Sequence, residues 1–104
     1  MRRKARQEVI DELSFANRLS VPPDVLMREV DGESVLLNLL NERYYTLDEV
    51  GTRMWTLLTT SESIEDAWKG LLAEYEVEPE TLRRDLQELI EKLVENGLLE
   101  LNRD

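Results

Sequence analysis

Apolar and polar positions change their spacing partway along this chain. Between Val25 and Thr46 the apolar residues lie in short runs broken by turn formers; from Asp48 to Glu95 they recur every three or four positions. The first pattern predicts strands and the second amphipathic helices. VLMREV (25–30) predicts a strand, Asp31-Gly32 a two-residue hairpin turn, and ESVLLNLL (33–40) a second strand; the turn rests on the tolerance of Gly for positive φ. The second run is nearly continuous in apolar residues, which predicts burial on both faces, as in a central strand. Asn41-Glu42 forms the next turn and RYYT (43–46) the third strand. The sheet is then an antiparallel meander with its third strand at an edge, where N–H and C=O groups are left unpaired.

The spacing changes at Leu47-Asp48. Asp48 is a good N-cap, since its carboxylate can accept from free N–H groups of a first helical turn, and Leu47 stands where a hydrophobic staple would. A helix over Asp48–Thr59 follows, with Val50, Met54, Trp55 and Leu58 apolar. Gly51 within it costs on the order of 1 kcal/mol relative to Ala, which signals the close approach of another backbone. After the polar link Thr60–Ser63, where Ser61 or Ser63 can cap, Ile64–Tyr75 carries Ile64, Ala67, Trp68, Leu71, Leu72 and Tyr75 at helical spacing. Pro79 suits the first turn of a last helix running to Glu95, and Asn96-Gly97 is a stop signal. Leu82, Leu86, Leu89, Ile90, Leu93 and Val94 make that helix's apolar stripe wider than one contact face requires. Leu98–Leu101 reads as a short returning strand.

Residues 2–19 place Val9, Ile10, Leu13, Ala16 and Leu19 at helical spacing, and Ser20–Asp24, with its paired prolines, reads as an extended linker. The expected organisation is therefore an N-terminal extension with a Pro linker, 1–23, before one domain, 24–104. The fold class is α+β, winged helix-turn-helix-like: a three-stranded antiparallel meander followed by three helices.

Composition narrows the chemistry. Cys and His are both absent from the 104 residues, which removes disulfides, thiolate metal sites, the commonest general base and the commonest zinc ligand. Ser61 and Ser63 lie where helix capping is their expected role, and Glu88, Glu91 and Glu95 fall on the polar face of the last helix. No phosphate loop or dinucleotide-binding glycine pattern is present. No enzyme activity and no cofactor are expected. No run of apolar residues is long enough to span a membrane, and MRRKARQEVIDEL has no uninterrupted apolar core of a signal peptide, so a cytoplasmic location is expected. Charge is uneven. Residues 1–20 hold five basic and three acidic residues, net +2, which leaves eight basic against twenty acidic, net −12, in 21–104. So acidic a domain repels phosphate backbones and attracts cationic partners, basic peptides among them.

RYYTLDEVGTRMW, then a polar link, a helix ending in Tyr75, and a last helix closing on Asn96-Gly97-Leu98-Leu99, resembles the small PqqD-like domains of ribosomal peptide modification. These are akin to pyrroloquinoline quinone synthesis protein D and are called RiPP recognition elements. The resemblance spans residues 24–101 and is nearest to the freestanding recognition proteins of split lasso-peptide systems. It implies a non-catalytic adaptor that binds the leader of a precursor peptide, here expected to be basic, and passes it to a leader peptidase or other maturation enzyme. It further implies a groove with Arg43, Tyr44, Tyr45, Thr46 and Leu47 on one wall and part of the Leu82, Leu86, Leu89 and Leu93 stripe on the other. An extended peptide would add to the edge strand through its main chain.

Two other readings remain. A winged-helix regulator would read DNA, but Arg83 and Arg84 of the last helix stand among Asp85, Glu88, Glu91 and Glu95, and Ile64–Tyr75 offers only Lys69, so no nucleic-acid partner is expected. A peptide chaperone of the quinone-cofactor pathway would share the fold.

Overall fold

The computed structural model describes residues 14–102. In chain order these form β1 (Arg18–Ser20), β2 (Val25–Val30), β3 (Glu33–Asn38), β4 (Tyr44–Leu47), α1 (Glu49–Thr60), α2 (Ile64–Glu74), α3 (Pro79–Glu95) and β5 (Glu100–Asn102). The expected α+β order of a three-stranded antiparallel meander and three helices is present, with strand order β2-β3-β4. A second, two-stranded antiparallel sheet pairs β1 with β5.

Helix boundaries follow local chemistry. Asp48 caps α1 by accepting from the Gly51 N–H at 2.8 Å. A Cβ on Gly51 would stand 3.2 Å from Leu47 Cδ2, so what comes close is the side chain of the residue preceding the cap and not the other backbone expected there. Of the two serines in the link, Ser63 caps α2, accepting from Asp66 N–H at 3.1 Å. Pro79 opens α3. Gly97, at φ +73°, closes it, with Leu98 N–H donating to Leu93 O at 2.8 Å and Gly97 N–H to Val94 O at 3.1 Å. That pair of bonds is a Schellman stop, which needs a left-handed residue after the helix.

The core runs between the inner face of the β2-β3-β4 sheet and the helices. Leu36, Leu58, Ile64, Leu71, Leu86, Ile90, Leu93, Leu98 and Leu99 are its most enclosed side chains. A hydroxyl pair, Ser34 Oγ and Thr52 Oγ1 at 2.8 Å, joins β3 to α1 inside it. Outside the core, the Arg53 guanidinium forks onto Glu74 at 2.9 and 2.6 Å, linking α1 to α2. The hydrogen bond holds the Glu74 carboxyl below its usual range and raises Arg53.

Three expectations are corrected. First, β3 is not buried on both faces: Ser34, Leu36 and Asn38 point inward, whereas Val35 is exposed and Leu37 half-buried, the alternation of a sheet with one covered face. Second, β3 stops at Asn38, because the Asn38 carboxamide accepts from Leu40 N–H at 2.8 Å and turns the chain, leaving Leu39 and Leu40 exposed. Third, the part of the N-terminal helix that falls on 14–19 is a turn followed by β1; the rest, 1–13, lies outside the described residues.

The cause of the third difference is Phe15, a residue off the helical stripe. Its buried ring meets Trp68 edge-on at 6.2 Å between centroids, and the Arg83 guanidinium lies 4.0 Å over Phe15 and 4.8 Å over Trp68. The carbonyls of Phe15 and Asn17 accept from Glu65 and Ile64 N–H at 2.7 and 2.9 Å, satisfying donors that the first turn of α2 leaves open. Leu19, opposite Leu101 in the β1–β5 ladder, is buried too. Residues 15–20 thus share one core with 25–99. Accordingly, Phe15→Ala is expected to cost about 3 kcal/mol, at the low end for a buried aromatic, seen as a lower denaturant midpoint. A midpoint equal to that of the parent chain would make residues 14–20 an appendage.

Candidate functional site

β4 has a partner on one side only. Tyr44, Tyr45, Thr46 and Leu47 stand opposite Leu37, Leu36, Val35 and Ser34 of β3, and their other side is an open edge. In the same register Asn38 N–H donates to Arg43 O at 2.9 Å, which puts Arg43/Asn38 at a hydrogen-bonding position of the ladder, with Arg43 N–H donating instead to Asn41 Oδ1. Antiparallel pairs alternate, so the next hydrogen-bonded positions are Tyr45/Leu36 and Leu47/Ser34. The N–H and C=O groups of Tyr44 and Thr46 therefore point outward. They are the donors and acceptors this edge offers to an added strand.

Side chains follow the opposite logic. Tyr45 and Leu47 share the inner face with Leu36 and Ser34; Tyr44 and Thr46 share the outer face with Leu37 and Val35. Tyr45 is half-buried against the core, Leu47 is buried, and Tyr44 is 67% exposed. Arg43 and Thr46 are exposed.

The start of β4 is tied to the end of α3. Asn38 Nδ2 donates to Gly97 O at 2.6 Å, Asn41 Nδ2 to Asn96 O at 3.3 Å, and Arg43 Nη1 to Asn96 Oδ1 at 2.9 Å. Arg43 thus has a structural partner as well as a place on the edge. Leu89 precedes Asn96 by seven residues, about two helical turns, so it lies on the side of α3 that ends at Asn96, the partner of Arg43. The edge of β4 and this face of α3 are the two walls of the candidate site.

On the α3 wall the expected residues divide. Leu82, Leu86 and Leu93 are buried, Leu86 and Leu93 completely, whereas Leu89 is half-buried. The buried line is Leu82, Leu86, Ile90 and Leu93. The excess width of the stripe is therefore taken up by packing inside the domain, and Leu89 with the half-buried Val94 flanks it. Of the expected groove residues, Leu82, Leu86, Leu93 and Leu47 are buried in the core, while Tyr44, Thr46, Arg43, Tyr45 and Leu89 keep accessible surface. The reading that α3 touches DNA loses one of the helix's three cations, because Arg83 is stacked on Phe15 and Trp68, which leaves Arg84 and Lys92.

Asn38, Asn41 and Asn96 were not among the expected site residues. Asn-rich turns are read first as turn chemistry, and their long-range partners leave no mark on local spacing.

Among the described residues no group of His, Cys, Asp and Glu is placed to hold a metal ion, and no helix is long and apolar enough to cross a membrane.

Comparison with known proteins bears on this arrangement. Residues 33–99 match the family described as coenzyme PQQ synthesis protein D (PqqD). A solved structure of TbiB1 in complex with the TbiA(beta) leader peptide is similar at a TM-score of 0.74 and 35% identity, over 82% of this chain and 99% of that one. A lasso peptide synthetase B1 complexed with the leader peptide is similar at a TM-score of 0.71 and 28% identity, over 80% and 98%. No curated protein matches the chain.

The division of the α3 leucines is open to measurement. Leu86→Ala should cost about 2–5 kcal/mol of stability, as cavity-forming core truncations do, and Leu89→Ala less than about 1.5 kcal/mol. Equal losses in denaturant midpoint would place Leu89 in the core as well and remove the α3 wall.

Proposed function

The chain belongs to the coenzyme PQQ synthesis protein D (PqqD) family, and from that membership we propose that it is a non-catalytic adaptor. It binds the leader segment of a ribosomally made precursor peptide and presents it to a processing enzyme. The leader adds as an antiparallel or parallel fourth strand to β4, between the edge and the Leu89 face of α3. In this reading the pathway is that of a lasso peptide, the leader is basic, and the enzyme is a leader peptidase.

The observation that carries the proposal is the open edge of β4, with the main chain of Tyr44 and Thr46 directed outward beside α3, in a chain 35% identical to a protein solved with a leader peptide. Main-chain pairing supplies affinity without any reactive side chain. That agrees with a sequence lacking both His and Cys. Tyr45 and Leu89, each half-buried, supply apolar contact for side chains of the bound strand.

A proline scan separates main-chain from side-chain recognition. Thr46→Pro removes an N–H that faces the edge, and proline is tolerated where the missing donor faces away from the sheet. Leader affinity is expected to fall at least about tenfold, the loss of roughly 1.4 kcal/mol that one hydrogen bond can supply, while the fold persists. Tyr45→Pro removes a donor to β3 and should instead destabilise the domain. Fluorescence anisotropy with a labelled leader peptide measures both. Full affinity in a folded Thr46→Pro variant would reject strand addition to β4.

Charge makes a second test. With −12 beyond residue 20, association with a basic leader should slow as salt rises, because screening beyond about 8 Å is strong at physiological ionic strength. Rates in stopped-flow that do not change between low and high salt would remove electrostatics from recognition.

A further inference from the structure

Cations are scarce in this acidic domain, and most of them are already committed. Residues 21–104 hold eight Lys and Arg against twenty Asp and Glu. Arg53 is forked onto Glu74, Lys69 lies 3.8 Å from Glu65, and Arg83 is stacked on Phe15 and Trp68. Arg103 lies outside the described residues. Two more stand away from the open edge of β4. Arg28 is on β2, the strand farthest from that edge. Arg84, two residues from each of the buried Leu82 and Leu86, is on the solvent side of α3. Arg43 and Lys92 remain.

Asn96 brings these two together. Its Oδ1 accepts from Arg43 Nη1 at 2.9 Å, and its Nδ2 donates to the Lys92 carbonyl at 2.8 Å. Lys92 lies three residues after Leu89 and four before Asn96, the spacing of neighbours on a helix surface. Both cations are exposed, and neither forms an ion pair among the described residues. Arg43 also opens the edge: it stands opposite Asn38, in the ladder position before Tyr44. The period of two puts its side chain on the inner face with Tyr45 and Leu47.

We propose that Arg43, with Lys92 beside it, takes a carboxylate side chain of the leader and so sets the register of the added strand. The inference rests on the strand-addition reading above and supplies what that reading lacks, a feature that tells one register from the next. Main-chain pairing is unchanged when a strand slides by two residues, because the same donors, acceptors and faces return. An acidic residue held at one end of the edge breaks that equivalence. Inward side chains of the added strand stand opposite Arg43, Tyr45 and Leu47, so the recognised sequence is an Asp or Glu two positions from an apolar residue. A guanidinium offers a carboxylate parallel N–H donors, and the bond to Asn96 engages Nη1 alone. The sign at the site is thus opposite to that of the domain. A leader that is basic overall is steered by the −12 and then anchored through one acidic residue.

The probe is the labelled leader peptide of the anisotropy assay above, prepared with each Asp and Glu changed in turn to Asn or Gln. One such change should lower affinity for the parent chain about tenfold, the order of a hydrogen bond to a charged group. Arg43→Gln, which keeps an N–H donor for Asn96, should lower affinity for the unchanged leader by the same factor. The two changes together should lose no more than either alone. Lys92→Gln should lose about twofold, as an exposed partner does, and Arg84→Gln nothing. Removing a cation makes the domain more acidic, so attraction at a distance alone would tighten a basic leader on Arg43→Gln; the anchor predicts the reverse.

A leader in which no carboxylate matters overturns the inference, whether or not Arg43→Gln folds. So does an Arg43→Gln variant that binds the unchanged leader as well as the parent chain does, or better. Equal losses in Arg43→Gln and Arg84→Gln would assign the effect to charge at large. Losses that multiply, in an Arg43→Gln variant with the parent's denaturant midpoint, would leave Arg43 acting only by holding Asn96. A parent chain that binds no leader would instead reject the adaptor reading itself.

Discussion

The relation between sheet and helices depends on one carboxamide. Asn38, buried at the end of β3, uses both ends of its amide: Oδ1 accepts from Leu40 N–H at 2.8 Å and from Asn41 N–H at 3.4 Å, and Nδ2 donates to Gly97 O at 2.6 Å. The first two bonds stop β3 and start the turn. The third fastens that turn to the last turn of α3. Such a residue has no simple substitute. An aspartate loses the donor and sets a charge against the Gly97 carbonyl, and a leucine leaves buried backbone groups unpaired, each costing about 1–3 kcal/mol. The space is equally constrained from the other side. A Cβ on Gly97 would stand 2.9 Å from Asn38 Nδ2, and the positive φ at that position already disfavours any side chain. The asparagine and the glycine fix each other, and so tie the turn between β3 and β4 to the end of α3.

Much of this architecture could be read from local pattern, because the elements from Val25 to Glu95 are each specified within a few residues of themselves. Asp31-Gly32, Asp48, Ser63, Pro79 and Gly97 act where they stand, and each takes the place its chemistry assigns. What local pattern missed was decided at a distance. The β1–β5 ladder pairs Arg18 with Asn102, and Phe15 is held by side chains of α2 and α3. Nothing near Phe15 announces those partners, whereas Val9, Ile10, Leu13 and Ala16 do suggest a helix. Val35 and Leu37 misled for a related reason: a continuous apolar run looks like a strand buried twice, and here half of it faces outward.

The candidate site was readable to the same extent. The edge position of β4 was legible, since an edge follows from strand order, and strand order in a meander follows from two tight turns. On α3 the apolar stripe is wider in sequence than the surface it leaves accessible. Leu82, Leu86, Leu89 and Leu93 lie at spacings of four, three and four, and Leu82, Leu86, Ile90 and Leu93 at four, four and three, which is equally helical; composition cannot say which line faces the core. Burial selects Leu82, Leu86, Ile90 and Leu93 and leaves Leu89 half-buried.

Recognition through a strand edge has a consequence for specificity. Every peptide offers the same main-chain donors and acceptors, so pairing with Tyr44 and Thr46 gives affinity that hardly depends on sequence. Discrimination must come from side chains, and the two faces of the added strand meet different surroundings. In the proposed strand addition, inward side chains would meet Tyr45 and Leu89, and outward side chains would stand beside Tyr44 on the outer face of the sheet. Alternate residues of a leader would then face two separate selections. The period of two along a strand keeps those selections apart, and a slip of one residue would exchange them. Register, and hence the rigid placement of β4 against α3, is then what such an adaptor must protect.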